Sequence, residues 1–196
     1  MINTTLIFFL ILSHLISFNL YSSEQISFDV TEIEIIDGGD KIIGKNRGII
    51  NSNDEITIEA DEFEFDKKKN ILKAKGNILI IDRINGYNFS AQEIIYNTNK
   101  ERIELKGKAE ATIDNDYKFS SQNIIILRNE MIIISDVGAS IIDNINQTLY
   151  EIGKFSYSLK EETLKGEKIF IHTKYNQPFS DKYFFKSAIF NLKNQN

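Results

Sequence analysis

Two stretches of this chain repeat one another at a fixed distance, and no other property of the sequence constrains the fold as strongly. Ala60-Asp61-Glu62-Phe63-Glu64-Phe65-Asp66 leads through Asn70 and Leu72 to Gly76, and Ala91-Gln92-Glu93-Ile94-Ile95-Tyr96-Asn97 leads through Glu101 and Ile103 to Gly107. The step from Ala60 to Ala91 equals the step from Gly76 to Gly107, so the two copies are in phase from opening to glycine. A third opening, Ser121-Gln122-Asn123-Ile124-Ile125-Ile126, follows Ala91 at almost the same interval and runs into Met131-Ile132-Ile133-Ile134. Self-similarity at such a period marks stacked units, each of which can bury its apolar face only against its neighbours.

Inside the units the hydrophobic period is two. From Glu101 to Ile113, Ile103, Leu105, Gly107, Ala109, Ala111 and Ile113 share one parity, opposite Arg102, Glu104, Lys106, Lys108 and Glu110. That is a strand with one dry face and one wet face. Leu72, Ala74, Gly76, Ile78 and Ile80 share a parity in the same way, and the polar breaks at 67–70 and 97–100 have the length of hairpin turns. Each unit therefore reads as a strand, a turn and a longer strand. Tyr157 to Leu164 spans the same interval as Phe65 to Leu72 and Tyr96 to Ile103, and 188–194 reads as the opening of a further, incomplete unit. With a single proline, Pro178, and no Gly/Ser-rich linker, residues 24–196 are expected to form one elongated all-β domain.

Charge and cysteine content narrow the partners. The net charge is −5 with the signs evenly mixed and no basic block, which argues against nucleic acid as a partner. Cysteine is absent, so disulfides, thiolate metal sites and cysteine nucleophiles are excluded. The N-terminus supplies the compartment. Leu6 to Ile16 is apolar apart from Ser13 and His14, and no charged side chain precedes Glu24. This core is shorter than the roughly 20 residues of a membrane span and suits a signal peptide over residues 1–23, with an uncleaved anchor as the alternative.

The pattern Ala-Asp-x-Phe-x-Phe-Asp-x-x-x-Asn-x-Leu-x-Ala-x-Gly-Asn at Ala60 to Asn77, repeated at Ala91 to Gly107, resembles the OstA-like family of lipopolysaccharide transport. That family comprises the periplasmic bridge protein LptA, the membrane-anchored LptC and the N-terminal domain of the outer-membrane assembly protein LptD. The resemblance implies a β-jelly roll of stacked antiparallel strands whose apolar interior holds lipid A acyl chains, and whose edge strands pair with other jelly-roll modules. It also implies residence in the periplasm or at the outer membrane. Length and leader fit an LptA-like bridge. The stretch 153–196 is closer to the LptD N-terminal region cut short, and a truncated LptD-like chain serving an outer-membrane barrel is narrowly preferred.

On this reading the interior groove is lined by Phe63, Phe65, Leu72, Ile78, Tyr96, Ile103, Leu105, Ile113, Ile126 and Ile134, and each buried acyl CH₂ contributes about 0.8 kcal/mol. The partner edges are expected around Phe28, Val30, Ile33 and Ile35 at one end and Phe185 and Ile189 at the other. The same apolar file also describes a closed core, as in a structural β-solenoid or an adhesin or scaffold domain. No enzyme motif competes with these readings. His172 stands alone in an apolar strand, and no Gly-x-Ser-x-Gly elbow, phosphate loop or histidine pair occurs. Asp37 with Asp40 and Asp114 with Asp116 read as turn residues rather than calcium ligands, and neither cofactor nor metal is expected.

Overall fold

A computed structural model describes residues 26–52, 55–84, 86–113 and 116–192; the leader read over residues 1–23 and Asp114 lie outside the described residues. The strands are β1 (Ile26–Ile36), β2 (Lys41–Ser52), β3 (Ile56–Ala60), β4 (Glu62–Asp66), β5 (Ile71–Asp82), β6 (Tyr87–Asn97), β7 (Arg102–Ile113), β8 (Tyr117–Leu127), β9 (Ile132–Ser135), β10 (Ala139–Asp143), β11 (Thr148–Ser158), β12 (Thr163–Thr173) and β13 (Lys182–Asn191). All pair antiparallel in one sheet, and spatial order follows chain order. β3 and β4 share the place between β2 and β5, broken at Asp61, while β9 and β10 share the place between β8 and β11. The fold is thus all-β, and no α-helix occurs among the described residues.

The repeat differs in one respect from the sequence expectation. The first copy keeps the short strand β4 ahead of the longer β5, whereas in the second Ala91 lies in the middle of β6, not at its start, so that unit consists of two long strands. The hairpins themselves close as expected. Phe65 pairs with Leu72, Tyr96 with Ile103 and Tyr157 with Leu164, each across a turn of the same span.

The ladders of β1 with β2 and of β5 through β8 are creased near their middles. Between Lys75 and Ile78, Ser90 and Glu93, and Lys106 and Ala109 the register shifts, as it does between Val30 and Glu32. An extra residue on one strand of an antiparallel pair bends that strand and sharpens its twist. Successive bulges line up across the sheet, and left-handed backbone recurs along the line at Gly76, Gly107 and Gly138, at the period of the sequence repeat.

About this crease the sheet doubles over, so that the two halves of the strands face one another as layers of a sandwich. Aromatic rings meet across the interior: Phe119 lies 5.3 Å from Tyr157 and 5.7 Å from Phe155, and Phe28 lies 6.0 Å from Phe65, centroid to centroid. The inward parities of both layers merge into one apolar cluster running from Ile50 to Leu192. Burial of each large side chain there stabilises the fold by about 1.5–3 kcal/mol.

Candidate functional site

The interior between the layers holds most of the residues expected to line a groove. Phe63, Phe65, Leu72, Ile78, Tyr96, Ile103, Leu105, Ile113 and Ile126 are all buried, and Leu105 is 0 % exposed. Ile134 does not join them. The third hairpin keeps the closure of the others, pairing Ile126 with Ile133, so Ile133 points inward and Ile134 is half-buried on the opposite face. The count from Ile126 across the turn, which Tyr96 to Ile103 already displays, is the signal that identifies Ile133.

The interior is filled by its own side chains. Ile56, Ile80, Phe89, Ile103, Ile126 and Arg128 border a cavity of about 20 Å³, room for roughly one water molecule rather than for an acyl chain. The two ends of the sandwich and the margin opposite the crease bound this interior.

Both ends are uncovered among the described residues. β1 and β13 are the first and last strands of the sheet order. Ile33 pairs with Gly44 and Ile35 with Ile42, and these register with Phe63 and Phe65, so Ile33 and Ile35 stand on the core side of the sheet. Both are exposed, Ile35 to 62 %. Phe28 and Val30, elsewhere on β1, pack against the core. At the other end Tyr183 registers with Ile171 and Phe185 with Ile169, on the core side and exposed, whereas Phe184 and Ile189 register with Phe170 and Lys165 on the outer face. The apolar interior thus continues to each end as a row of uncapped side chains beside unpaired strand edges.

The margin opposite the crease is formed by two rows of turns. One row holds the turns at 67–70, 98–101, 128–131 and 159–162; the other lies beside Ser52, Asp82, Ile113 and Asp143. Arg128 reaches from the first row to the second. Its guanidinium pairs with Glu101 in its own row, with Glu55 at 3.2 Å and with Asp82 at 3.8 Å in the facing row. Its side chain is only 14 % exposed. Burial works to lower the Arg128 pKa, and the Glu101 charge, the Tyr96 phenol and the hydrogen bonds to Glu55 and Glu101 more than offset it, so the group is held above its ordinary value. Farther along the same margin the Tyr117 hydroxyl donates to the Leu192 carbonyl at 3.5 Å. Burial first, and then the Asp143 carboxylate, push that phenol up to about 12.

The remaining polar candidates are absorbed by local structure. Asp37 binds Lys41 at 3.2 Å and Asp40 binds Lys68 at 2.5 Å, while Asp143 accepts from the backbone of Ile145 and Asn146 to close its turn. His172 Nε2 lies 2.6 Å from Ser180 Oγ. Among the described residues no cluster of three or more His, Cys, Asp or Glu could hold a metal ion.

No family model and no curated protein matches the chain. Among solved structures it is similar to LptH, the LptA homologous periplasmic component of the conserved lipopolysaccharide transport device from Pseudomonas aeruginosa, at 10% identity, covering 82% of this chain and 94% of that one with a TM-score of 0.31. So loose a superposition carries no weight for function.

Proposed function

We propose that the chain is a non-enzymatic carrier in lipopolysaccharide transport, taking lipid A acyl chains between its layers and joining other jelly-roll modules through β1 and β13. The observation that carries this reading is the apolar interior left uncapped at both ends beside unpaired strand edges, at Ile33 and Ile35 and at Tyr183 and Phe185. An edge with free backbone groups accepts a further strand, and a partner added there would extend the apolar interior in register. The repeat at Ala60 to Asn77 and Ala91 to Gly107, with its resemblance to the OstA-like family, supplies the ligand class. Within that family the chain is read as an LptD-like N-terminal domain serving an outer-membrane barrel, with an LptA-like periplasmic bridge as the alternative. Export by a signal peptide over residues 1–23 would bring it to the periplasm or the outer membrane.

A second reading is favoured by the packed interior: a structural β domain whose core never opens. In-cell photocrosslinking separates the two. An unnatural photoreactive residue at Leu105, which is fully buried, is compared with one at outward-facing Lys106. Lipopolysaccharide captured at Leu105 and not at Lys106 is the expected result. A folded protein that captures none at Leu105, Ile103 or Ile126 refutes the carrier reading and leaves the structural one.

A further inference from the structure

We propose that Arg128 is a latch that holds the margin opposite the crease closed and sets how fast an amphiphile enters between the layers. The inference deepens the carrier reading and rests on it. Three observations support it. First, of the ion pairs described above, those of Arg128 with Glu55 and Asp82 cross from one row of turns to the other, joining residues 73 apart in sequence where Glu55 meets Arg128. Second, the small cavity between the layers lies directly behind this contact, bordered by Arg128 together with Ile80, Phe89, Ile103 and Ile126. Third, the layers join at a crease built of aligned bulges with left-handed glycines at 76, 107 and 138, where the ladder is interrupted and the backbone can take up a change of angle.

The electrostatics give the latch its direction. Arg128 is the cation among three carboxylates, those of Glu101 in its own row and of Glu55 and Asp82 in the other. With the guanidinium in place, attraction draws the rows together in a setting partly shielded from water, where such pairs are stronger than at an open surface. Without it, the carboxylates repel across the same gap and favour the open margin. The closure is nevertheless incomplete as a hydrogen-bond network. Arg128 Nε has no hydrogen-bond partner, and Asp82 faces it at 3.8 Å, an ion pair beyond hydrogen-bond length. A contact of this kind can release without breaking a fully satisfied buried network.

The test uses the exported chain with spin labels on cysteines introduced at Asn99 in the first row and Ile84 in the second, both exposed, in a protein that has no other cysteine. Interlabel distances are measured by pulsed electron paramagnetic resonance, and uptake of cis-parinaric acid by stopped-flow fluorescence. Arg128→Gln is expected to add a longer-distance population and to speed uptake about tenfold. Glu55→Gln, which removes a half-exposed partner and so spares the fold, is expected to do the same to a smaller degree. Circular dichroism confirms that each variant is folded. Unchanged distances in both folded variants overturn the latch, and uptake at the wild-type rate would then leave the carrier reading standing. A lengthened distance with no uptake by any variant keeps the latch as a structural closure and removes the carrier reading.

Discussion

At Gly76 the backbone has φ 75°, and a Cβ added there would lie 2.4 Å from Asp61 Oδ2 and 3.0 Å from Asp61 Cβ. Asp61 cannot simply swing aside, because its carboxylate accepts from Asn77 Nδ2 at 2.8 Å and pairs with Arg47. Gly86 also has a positive φ, 73°, but nothing stands within 4 Å of its missing Cβ. The two glycines therefore separate backbone preference from crowding. Gly86→Ala is expected to cost about 1 kcal/mol, the penalty of left-handed backbone alone, and Gly76→Ala about 2–3 kcal/mol, with the crease contact disturbed as well. Urea denaturation of the two variants checks this, and equal losses would show that crowding at the crease contributes nothing.

Along whole elements the repeat carries more information than the residues that first reveal it. The hairpin closure, legible in Phe65 to Leu72 and Tyr96 to Ile103, also sets Ile126 against Ile133. Ile134 is misassigned from sequence because a run of consecutive isoleucines has no alternation of its own, so parity has to be carried across the turn. The crease is only half legible. Gly76 and Gly107 mark it, but Lys108 and Lys168 also take left-handed backbone, at φ 47° and 52°, and a lysine gives no sequence signal for a positive φ. Arg128 leaves no local trace at all, since the strand halves that bring it to Glu55 are set by the doubling of the sheet. The edge strands yield a prediction at this scale. Ile35 is already exposed, so Ile35→Asp is expected to change stability by no more than about 0.5 kcal/mol while abolishing end-to-end association. Sedimentation velocity across a concentration series reads this out; an Ile35→Asp protein that associates as the wild type does would remove β1 from the interface.

Over the whole molecule, strand order follows chain order, so every ladder joins strands no more than two apart in the chain. Stability in such an array is close to a sum of unit and neighbour terms, and the terminal strands, each with one neighbour, are the weakest. Hydrogen exchange followed by mass spectrometry is expected to find the slowest amides in β5 to β8 and the fastest in β1 and β13. Uniform protection would instead indicate a single cooperative block held by contacts between the layers.

The same ordering ties folding to assembly. A sheet that grows one strand at a time always presents its most recent strand as the place where the next one docks. For a chain emerging N-terminus first, that docking edge moves steadily from β1 toward β13. A partner strand arriving at β13 would repeat the step by which β13 itself joined β12, the difference being only that no peptide bond tethers it. Polymerisation of such modules is then folding carried on between molecules, and its fidelity depends on the tethered strand reaching each new edge before a stranger does.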